Sequence, residues 1–497
     1  MEKKAADLFI IGGGINGVGI AADASGRGLS VVLCEQNDLA SATSSASTKL
    51  IHGGLRYLEN YEFNLVRKAL TEREILLKLA PHLIHPMEFV TPHENHLRPA
   101  WLIQMGLFLY DHLASHPSMP NSKKINLSND RRGNALQSSF KKGFSYFDCA
   151  TDDARLVVLN AIAAKKNGAM ILTRNRCVAA EYNQIWKLTL QNIDSGETRL
   201  HYAKVLVNAS GPWVSDLHKQ ILPSEKSLDI NLVKGSHLVV PKLYDGEFAY
   251  LLQNNDKRVV FVIPYQQHFS LVGTTDVAID GNLNQLTISP TEQIYLCDTV
   301  NKYFNKKISS ADIVWSYAGV RTLQADHSKT LSSNTRDYKT ELHSSLPLLT
   351  VISGKLTTYR CLAEHAVDSL SEFFSKLPPS HTIQDILPGG NIPDGNFKYF
   401  FQTLKHQYSF LPDDMLLRYA TNYGTRVEYI LKDVSCLDDL GYHFSNTLYQ
   451  KEVEYLIQHE WAMTCDDILW RRTKLGLFFS SEEVNRLKKW LSQYFLK

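Results

Sequence analysis

Three glycines near the N-terminus constrain the fold of this chain more than any other feature. Gly12, Gly14 and Gly17 follow the apolar run Leu8–Ile11 and open the segment Ile15–Gly26, in which apolar residues recur at helical spacing. In a turn of this kind, the first glycine permits a tight bend, the second lets the backbone approach a pyrophosphate, and the third allows helix and strand to pack closely. The helix N-terminus adds amide donors and a positive dipole end. The pattern predicts a dinucleotide-binding site.

A second apolar run, Leu29–Leu33, completes a strand–helix–strand unit and ends next to Glu35. Glu35 comes 18 residues after Gly17 (35 − 17), close to the spacing of about 20 residues expected for a carboxylate that binds the ribose. Such a carboxylate suits either NAD or FAD. The chain then leaves the unit, and only Val205–Gly211 and Val351–Thr358 return to it, which favours FAD as a cofactor that lies extended across the fold.

The periodicity of the apolar residues changes further along the chain. Alternating runs between Leu232 and Thr274 predict an antiparallel sheet, and the pattern beyond Phe397 is mainly helical. We therefore expect an α/β protein with a FAD-binding Rossmann-like domain, an inserted, mainly antiparallel substrate-capping sheet and a C-terminal all-helical domain. The FAD-binding domain is assigned to residues 1–80, 145–230 and 345–376, the capping domain to 81–144 and 231–344, a linker to 377–396, and the helical domain to 397–497.

The composition excludes several classes of function. Lys and Arg number 53 against 51 Asp and Glu, so the net charge of +2 does not favour nucleic acid as a partner. The seven cysteines form no C-x-x-C pair, which argues against zinc and dithiol chemistry and predicts reduced thiols in the cytoplasm. We expect no metal. The chain has no secretory signal pattern, and no stretch approaches the roughly 20 apolar residues of a membrane-spanning helix.

Several stretches of the chain resemble one family of flavoproteins. They read GGGINGVGIAADASGRGLSV, TSSASTKLIHGGLRYLE, LRPAWLIQMGLFLYDHL, NASGPWVSD, VKGSHLVVP, GTTDV and GKLTTYR, and the helical end adds HEWAMTCDDILWRRTKLGL. On these residues, nearly the whole chain is similar to the FAD-dependent glycerol-3-phosphate dehydrogenases, and it most resembles the aerobic, quinone-linked bacterial members.

The resemblance implies oxidation of sn-glycerol 3-phosphate to dihydroxyacetone phosphate, with electrons passing through FAD to ubiquinone or another membrane quinone. It also implies a homodimer that is peripherally bound to the cytoplasmic side of the inner membrane. Two membrane contacts are open: the basic and aromatic end Arg486–Lys497 and the apolar run Trp101–Tyr110. For each of these segments, packing on the body of the protein is the alternative.

A site for the substrate phosphate requires cationic side chains. A phosphate monoester carries about two negative charges near pH 7, and the planar fork of arginine suits it best. Arg56 and Arg321 are the candidates, because each follows a glycine-bearing apolar turn; a surface salt bridge is the alternative for each. Tyr57 is either a hydrogen-bond donor to the same phosphate or a core residue. Lys355 is placed to put a positive charge near the flavin or the substrate.

Oxidation of a secondary alcohol removes a hydride and a proton, and a base with a pKa near neutrality is an efficient acceptor for that proton. His237 is the first candidate for this base and His52 is the second, while a water chain stays open as a third possibility. An ordinary solvated or hydrogen-bonded side chain is the alternative for each histidine. Arg321 and Lys355 complete the predicted catalytic set.

The residues expected to bind the cofactor lie in the same motifs. They are Gly12, Gly14, Ile15, Asn16, Gly17, Glu35, Thr43, Ser44, Ser45, Lys49, Leu50, His52, Gly53, Val178, Ser210, Gly211, Gly354, Lys355, Leu356 and Thr357. Two nearby residues depart from the family pattern: Ser353 stands where glycine is common, and Thr322 stands where proline is common. Neither change removes a charge or a donor, but the serine adds a Cβ close to the expected position of the flavin.

Two other functions stay open on the sequence. An oxidase of the same fold would pass its electrons to oxygen and release peroxide. A non-catalytic FAD-binding scaffold would act through its helical end. The grouping of arginine, histidine and lysine within flavin-facing motifs argues against the scaffold.

Overall fold

The structure of the protein is a computed structural model and describes residues 5–94, 99–115, 118–256, 258–279, 283, 286–325 and 337–496, without the side chains of Arg56 and Asn60. Its strands are β1 (Ala6–Ile11), β2 (Val31–Cys34), β3 (Leu50–Ile51), β4 (His85–His93), β5 (Lys123–Asn126), β6 (Lys142–Ala150), β7 (Met170–Leu172), β8 (Asn175–Asn183), β9 (Ile185–Asn192), β10 (Thr198–Asn208), β11 (Ile230–Pro241), β12 (Ala249–Gln253), β13 (Val259–Tyr265), β14 (Phe269–Gly273), β15 (Val277–Ala278), β16 (Trp315–Gln324), β17 (Lys339–Leu342), β18 (Leu348–Ile352), β19 (His443–Ser445) and β20 (Leu448–Tyr449). Its α-helices are α1 (Ile15–Gly26), α2 (Phe63–Leu79), α3 (Ala100–His112), α4 (Asp153–Lys166), α5 (Val214–Ile221), α6 (Pro290–Tyr303), α7 (Tyr359–Asp368), α8 (Phe397–Gln407), α9 (Asp413–Tyr423), α10 (Val427–Leu431), α11 (Gln450–Glu460) and α12 (Ser481–Phe495).

The first sheet is built on parallel strands. β18, β10, β1, β2 and β7 lie side by side in this order, and each pairs in parallel with its neighbour. These strands read as nearly continuous apolar runs because both of their faces are buried. Helices α1, α4 and α7 cover one face, and side chains of β9 and α5 pack on the other. This arrangement confirms the predicted Rossmann-like unit.

The second sheet is mainly antiparallel, as the alternating runs predict. Its strands follow the order β15-β11-β14-β13-β12-β4-β6-β3, while β16 pairs with β11 and β5 pairs with β6. Alternate residues of these strands face opposite sides, so one set packs against α6 and the other against α2 and α3.

Strand pairing crosses the predicted domain boundaries at three places. β3 and residues 145–150 of β6 are assigned to the FAD-binding domain, yet both pair within the second sheet. β17 is assigned to the capping domain, yet it pairs with β18 in the first sheet. A short strand carries no signal for its partner, because pairing depends on where distant segments meet. The other boundaries stay predictions.

The C-terminal unit is helical as predicted and has its own apolar core. It also contains a small hairpin of β19 and β20. The predicted linker packs on both sides: the Leu387 amide bonds the Leu79 carbonyl at 3.0 Å, and the Thr425 amide bonds the Gly389 carbonyl at 3.0 Å. Among the described residues, no helix combines the length and the apolar character that crossing a bilayer requires.

The topology places one end of the first sheet against the second sheet. Ile11 pairs with Asn208, and Asn208 pairs with Thr350, so β1, β10 and β18 end at the same edge. Parallel sheets bind ligands beyond the carboxyl ends of their strands. The loops that carry the predicted cofactor residues start from this edge.

Candidate active site

A cavity of about 610 Å³ lies between the two sheets. The loops after β1, β10 and β18 enter it from the first sheet, and residues of β11 and β16 line it from the second. Its volume falls in the range of about 300–1,000 Å³ that is usual for ligand sites. The predicted residues that line it are Gly14, Ile15, Asn16, Thr43, Ser44, Leu50, His52, Tyr57, Gly211, His237, Arg321, Gly354, Lys355, Leu356 and Thr357.

The glycine turn has the geometry that close approach of a diphosphate requires. Gly12 has a φ of 121°, and a Cβ at this position would lie 2.4 Å from the Ala209 carbonyl oxygen. A Cβ at Gly17 would lie 1.9 Å from the Gly12 carbonyl oxygen. Both positions therefore exclude a side chain, and α1 begins at the cavity with its amide donors.

Two polar side chains surround the start of α1. Ser44 Oγ accepts a hydrogen bond of 2.9 Å from the Ile15 amide. Asn16 Nδ2 donates to the Ser353 carbonyl at 3.0 Å, whereas its buried Oδ1 has no hydrogen-bond partner within the described part of the chain. A buried acceptor left in this state costs roughly 1–3 kcal/mol. A donor on a bound molecule would satisfy it, so the turn, the helix start and this oxygen fit a dinucleotide.

Glu35 does not line the cavity, but it forms hydrogen bonds at the glycine turn. Its carboxylate accepts hydrogen bonds from the Gly13 amide at 2.8 Å and from the Asn37 amide at 2.9 Å. Burial raises the pKa of Glu35 above its usual value, although the two amide hydrogen bonds act in the opposite direction. The amides hold the side chain at the end of β2. The ribose contact of Glu35 stays a prediction.

Lys49 lies behind the loop that contains Thr43 and Ser44. Its Nζ pairs with Asp153 Oδ1 at 2.7 Å and donates to the Ser45 carbonyl at 3.0 Å, and the pair is buried. Lys49 thereby ties the loop to the start of α4.

Several other predicted cofactor residues do not line the cavity. Gly12, Gly17 and Ser45 lie in the turn and loop described above. The remaining three use polar atoms within the protein: the Gly53 amide donates to Tyr110 Oη at 2.9 Å, the Val178 carbonyl accepts from Gln220 Nε2 at 2.7 Å, and Ser210 Oγ donates to Asn208 Oδ1 at 2.7 Å. A cofactor contact for these residues stays a prediction.

The loop after β18 explains one departure from the family pattern. Ser353 has a φ of 67° and Gly354 a φ of 119°, so both residues take a left-handed backbone. Serine can adopt this conformation at a cost of roughly 1 kcal/mol, and the loop turns as glycine would turn it. Thr357 Oγ1 accepts a hydrogen bond of 3.1 Å from the His52 amide, which joins this loop to the loop after β3. Thr322, the other departure, also lines the cavity.

Arg321 is oriented by two partners that the sequence analysis did not assign. One Nη group pairs with the carboxylate of Asp276, and the other donates to Thr274 Oγ1 at 3.2 Å. A Cβ at Gly235, on the neighbouring strand β11, would lie 2.7 Å from the Arg321 Nη2. The missing side chain at Gly235 therefore makes room for the guanidinium at the cavity wall.

His237 lies opposite Tyr317 in the pairing of β11 with β16, and their rings stack with centroids 4.8 Å apart. His237 Nε2 lies 3.0 Å from Thr48 Oγ1, and Nδ1 has no hydrogen-bond partner among the residues the structure describes. Burial lowers the pKa of His237 well below its usual value, and the charges of Arg321 and Lys49 lower it further. The ring is therefore neutral near pH 7 and able to accept a proton.

A second cation and a second histidine line the same cavity. Lys355 Nζ lies 3.6 Å from the centroid of the Tyr57 ring, a cation–π contact. The His52 ring packs edge-on against Phe261, with centroids 6.4 Å apart. The predicted role of Arg56 concerns a side chain outside the described residues.

The partners that orient these side chains were not predicted from the sequence. Thr48, Thr274 and Asp276 stand in stretches that carry the family resemblance, so their motifs were a signal that could have found them. No such signal exists for Tyr317, because its contact with His237 arises only from the pairing of β11 with β16.

Two family models match the chain. The model described as "FAD dependent oxidoreductase" matches residues 7–360, and the model described as "C-terminal domain of alpha-glycerophosphate oxidase" matches residues 380–492. The glycerol-3-phosphate dehydrogenase of Pseudomonas aeruginosa is 50% identical over 98% of this chain and 94% of its own length. The chain belongs to the family of FAD-dependent glycerol-3-phosphate dehydrogenases.

Other members of this dehydrogenase family are similar over almost the full length. The aerobic glycerol-3-phosphate dehydrogenase of Escherichia coli is 46% identical over 99% of this chain and 98% of its own. The D-erythritol 1-phosphate dehydrogenase of Brucella abortus is also 46% identical, over 98% of both chains. Relatives at this level of identity thus carry the names of two different polyol phosphates.

A solved structure of the family has the same fold. The glycerol-3-phosphate dehydrogenase from Bacillus halodurans, complexed with FAD, superposes with a TM-score of 0.80 at 27% identity and covers 100% of this chain and 92% of that chain. The prediction of FAD from the glycine turn and the returning segments is confirmed.

Proposed function

We propose that this dehydrogenase oxidises sn-glycerol 3-phosphate to dihydroxyacetone phosphate and passes the electrons to a membrane quinone. One observation carries the proposal: a single cavity brings Arg321, Lys355 and His237 together beside the dinucleotide turn. When bound, FAD supplies the acceptor for two electrons. The family assignment favours an enzyme over the non-catalytic scaffold.

Arg321 binds the substrate phosphate in this proposal. Asp276 and Thr274 hold its guanidinium in one orientation, so little rotamer freedom is lost when the phosphate arrives. Lys355 adds a second positive charge to the same cavity. Apolar side chains in the wall, among them Leu251 and Phe261, lower the local dielectric constant and so strengthen these contacts.

His237 takes the proton of the substrate hydroxyl in this proposal. Thr48 and Tyr317 fix the ring, and Nδ1 is the nitrogen for which the described residues offer no hydrogen bond. The lowered pKa keeps the ring neutral, so it can accept a proton, but it also makes the ring a weaker base than one with a pKa near neutrality. His52 is the second candidate because it lines the same cavity.

The outer surface of α3 is our candidate for the membrane contact. Trp101 is 66% exposed and Phe108 is 58% exposed, and Met105 lies between them on the same face of the helix. An exposed apolar face of this kind is typical of an interaction surface. In α12, the other candidate, Leu487 and Leu491 are buried against the C-terminal unit. The homodimer and the cytoplasmic side of the inner membrane stay predictions from the family resemblance.

Anaerobic reduction of the flavin tests the proposal. We expect the yellow protein to bleach on addition of sn-glycerol 3-phosphate and not on addition of NADH, and the electrons to reach ubiquinone in added vesicles. No bleaching by any polyol phosphate would support the scaffold and refute the proposal. Peroxide released in air as fast as substrate is consumed would instead identify an oxidase.

D-erythritol 1-phosphate is the second candidate substrate, because a relative of that name is as similar as the Escherichia coli enzyme. It presents a phosphate and secondary hydroxyls to the same groups. The two substrates are compared by kcat/KM under identical conditions. A higher value for D-erythritol 1-phosphate would replace glycerol 3-phosphate as the substrate.

A further inference from the structure

The C-terminal unit reaches the active site through one short segment. We call residues Trp470–Lys474 the C-terminal wedge. Its first three residues belong to a π-helix, Asp467–Arg472, and the wedge ends at Lys474, which has a left-handed backbone with φ 62°. π-Helical turns are rare and often occur at functional sites. This irregular backbone sends neighbouring side chains of the wedge toward different parts of the FAD-binding unit and the second sheet.

An aromatic stack leads from the wedge to His237. The Trp470 ring stacks on Trp315 with centroids 4.4 Å apart and an interplanar angle of 22°. Trp315 contacts Tyr317 at 5.0 Å, and Tyr317 stacks on His237 at 4.8 Å. Trp315 and Tyr317 are two residues apart on β16, so they share the face that meets His237. Each ring restricts the next one, and the last ring in the series is the proposed base.

A series of ion pairs and hydrogen bonds, the ionic path, leads from the wedge to the loop Ser45–Lys49 at the cavity. Lys474 Nζ pairs with Asp152 Oδ2 at 2.7 Å, and both side chains are largely buried. The next residue, Asp153, pairs with Lys49 at 2.7 Å and accepts hydrogen bonds from the Ser47 amide at 3.0 Å and from Ser47 Oγ at 2.7 Å. The position of Ser47 thus depends on the start of α4, which Lys474 holds.

The two paths meet at the cavity wall. Tyr317 Oη donates to the Ser47 carbonyl at 2.8 Å, and the neighbouring residue Thr48 contacts His237 Nε2 at 3.0 Å. Ser47 and Thr48 both line the cavity. The stack and the ionic path therefore act on the same ring and the same loop.

The wedge itself is firmly anchored. Arg472 pairs with both oxygens of Asp38 at 2.8 Å, and Arg471 Nε also contacts Asp38, at 2.6 Å. Asp38 lies in the loop after β2, which packs on the glycine turn through the bond from the Ala40 amide to the Gly13 carbonyl at 3.1 Å. Because these charges are buried, removing one partner is costly, and the wedge keeps a defined position.

We propose that Trp470 and Lys474 are positioning residues of the active site, through which the C-terminal unit holds His237 and the loop Ser45–Lys49 in place for the reaction. This inference rests on the proposed role of His237. It gives the C-terminal unit a part in the reaction although none of its residues lines the described cavity. A shift of about 1 Å in a reacting group can lower a rate by about 100-fold, so a remote contact can govern turnover.

The competing explanation is adhesion, in which Trp470 and Lys474 only hold the C-terminal unit against the rest of the protein. Arg174 provides a matched control. Arg174 Nη2 pairs with Asp467 Oδ2 at 2.7 Å, within the same π-helix and with a buried partner. It lies between β7 and β8, and the described contacts connect it neither with Ser47 nor with His237. Arg174→Met thus weakens the same interface and removes no contact of either path. Its partner Asp467 also pairs with Arg471, whose contact with Asp38 is retained in this variant.

The test compares Trp470→Ala, Trp470→Phe, Lys474→Met and Arg174→Met as FAD-loaded proteins. We expect Trp470→Ala and Lys474→Met to lower kcat about 10- to 100-fold with a smaller change in KM, and Arg174→Met to stay within about twofold. Trp470→Phe should recover most of the rate because the ring stack is retained. In Trp470→Ala the acid limb of the pH profile should move to higher pH, since Trp315 and Tyr317 then pack less tightly and the desolvation of His237 decreases.

Hydrogen exchange supplies a readout that does not depend on turnover. In Lys474→Met, the amide of Ser47 should exchange faster than in the unaltered protein, while the core strand β1 should not change. Equal effects of Arg174→Met and Lys474→Met on kcat and on exchange would overturn the proposal in favour of adhesion. Should the unaltered protein fail to bleach with any polyol phosphate, the proposed function fails, but the exchange comparison still decides whether the wedge positions the loop.

Discussion

Replacing Arg321 with alanine is the most direct perturbation of substrate binding. A guanidinium that contacts a phosphate at two points makes two charge-assisted hydrogen bonds, each worth about 1.5–3 kcal/mol. Their loss amounts to about 3–6 kcal/mol, which corresponds to a fall of about 10²- to 10⁴-fold in kcat/KM. Arg321→Lys keeps the charge but loses the planar fork, so its kcat/KM should lie between that of the unaltered protein and that of Arg321→Ala.

Asp276, the ionic partner of Arg321, allows a second test of this effect. In Arg321→Ala its carboxylate stays at the cavity wall without the guanidinium and repels the phosphate. The double variant Arg321→Ala/Asp276→Asn removes that repulsion and should recover part of the loss. Asp276→Asn alone should raise KM, because the guanidinium loses its ionic partner.

The assay measures kcat/KM with an artificial electron acceptor, together with the FAD content from the visible absorbance. Arg199→Ala is the matched control: this largely exposed arginine of β10 pairs with Glu197 at 3.0 Å, and it does not line the described cavity. Its kcat/KM should stay within about twofold of the unaltered value. Unchanged kcat/KM in Arg321→Ala, or loss of FAD in step with activity, would refute the assignment of Arg321 to the substrate phosphate.

Three further predictions concern the cofactor turn, the base and the membrane contact. Gly17→Ala should yield protein without FAD, because its Cβ would lie 1.9 Å from a carbonyl oxygen, whereas Gly106→Ala, where the added Cβ meets open space, should stay yellow. The lowered pKa of His237 places the acid limb of kcat/KM below pH 6.5. Because the buried ring is neutral, the folded protein has its full stability above that pH and loses stability as the pH falls toward the pKa of His237 in the folded state. His237→Gln should show neither trend. An acid limb above pH 6.5 contradicts this. Phe108→Asp should reduce flotation with anionic vesicles, whereas Tyr399→Asp, at an exposed aromatic residue of the C-terminal unit, should not.

The features that could be predicted from the sequence are those that depend on residues close together in the chain. The strand–turn–helix at Ala6–Gly26 was predictable because the apolar run, the glycine spacing and the helical periodicity that indicate it all lie within the segment itself. The alternating runs likewise predicted the second sheet, since short runs of alternating residues are typical of antiparallel strands. Glu35 at the end of β2 follows from the same local unit.

The arrangement around the reacting groups was not predictable in this way. Tyr317 contacts His237 because β11 pairs with β16, and Trp470 joins the stack from a different unit of the chain. Asp276 reaches Arg321 only because the chain after β14 returns to the same wall. The partner of a short strand also escapes a sequence pattern, as β17 shows by joining the first sheet.

The amino-acid sequence alone therefore determined the class of cofactor, the two kinds of sheet and the candidate residues for phosphate binding and proton transfer. Those properties depend on residue type and on short spacings, which the chain carries in its order. The tertiary structure decided how Arg321 and His237 are oriented and that Trp470 and Lys474 stand behind them. Such contacts join residues far apart in the chain, and they exist only when several strands and the C-terminal unit pack together.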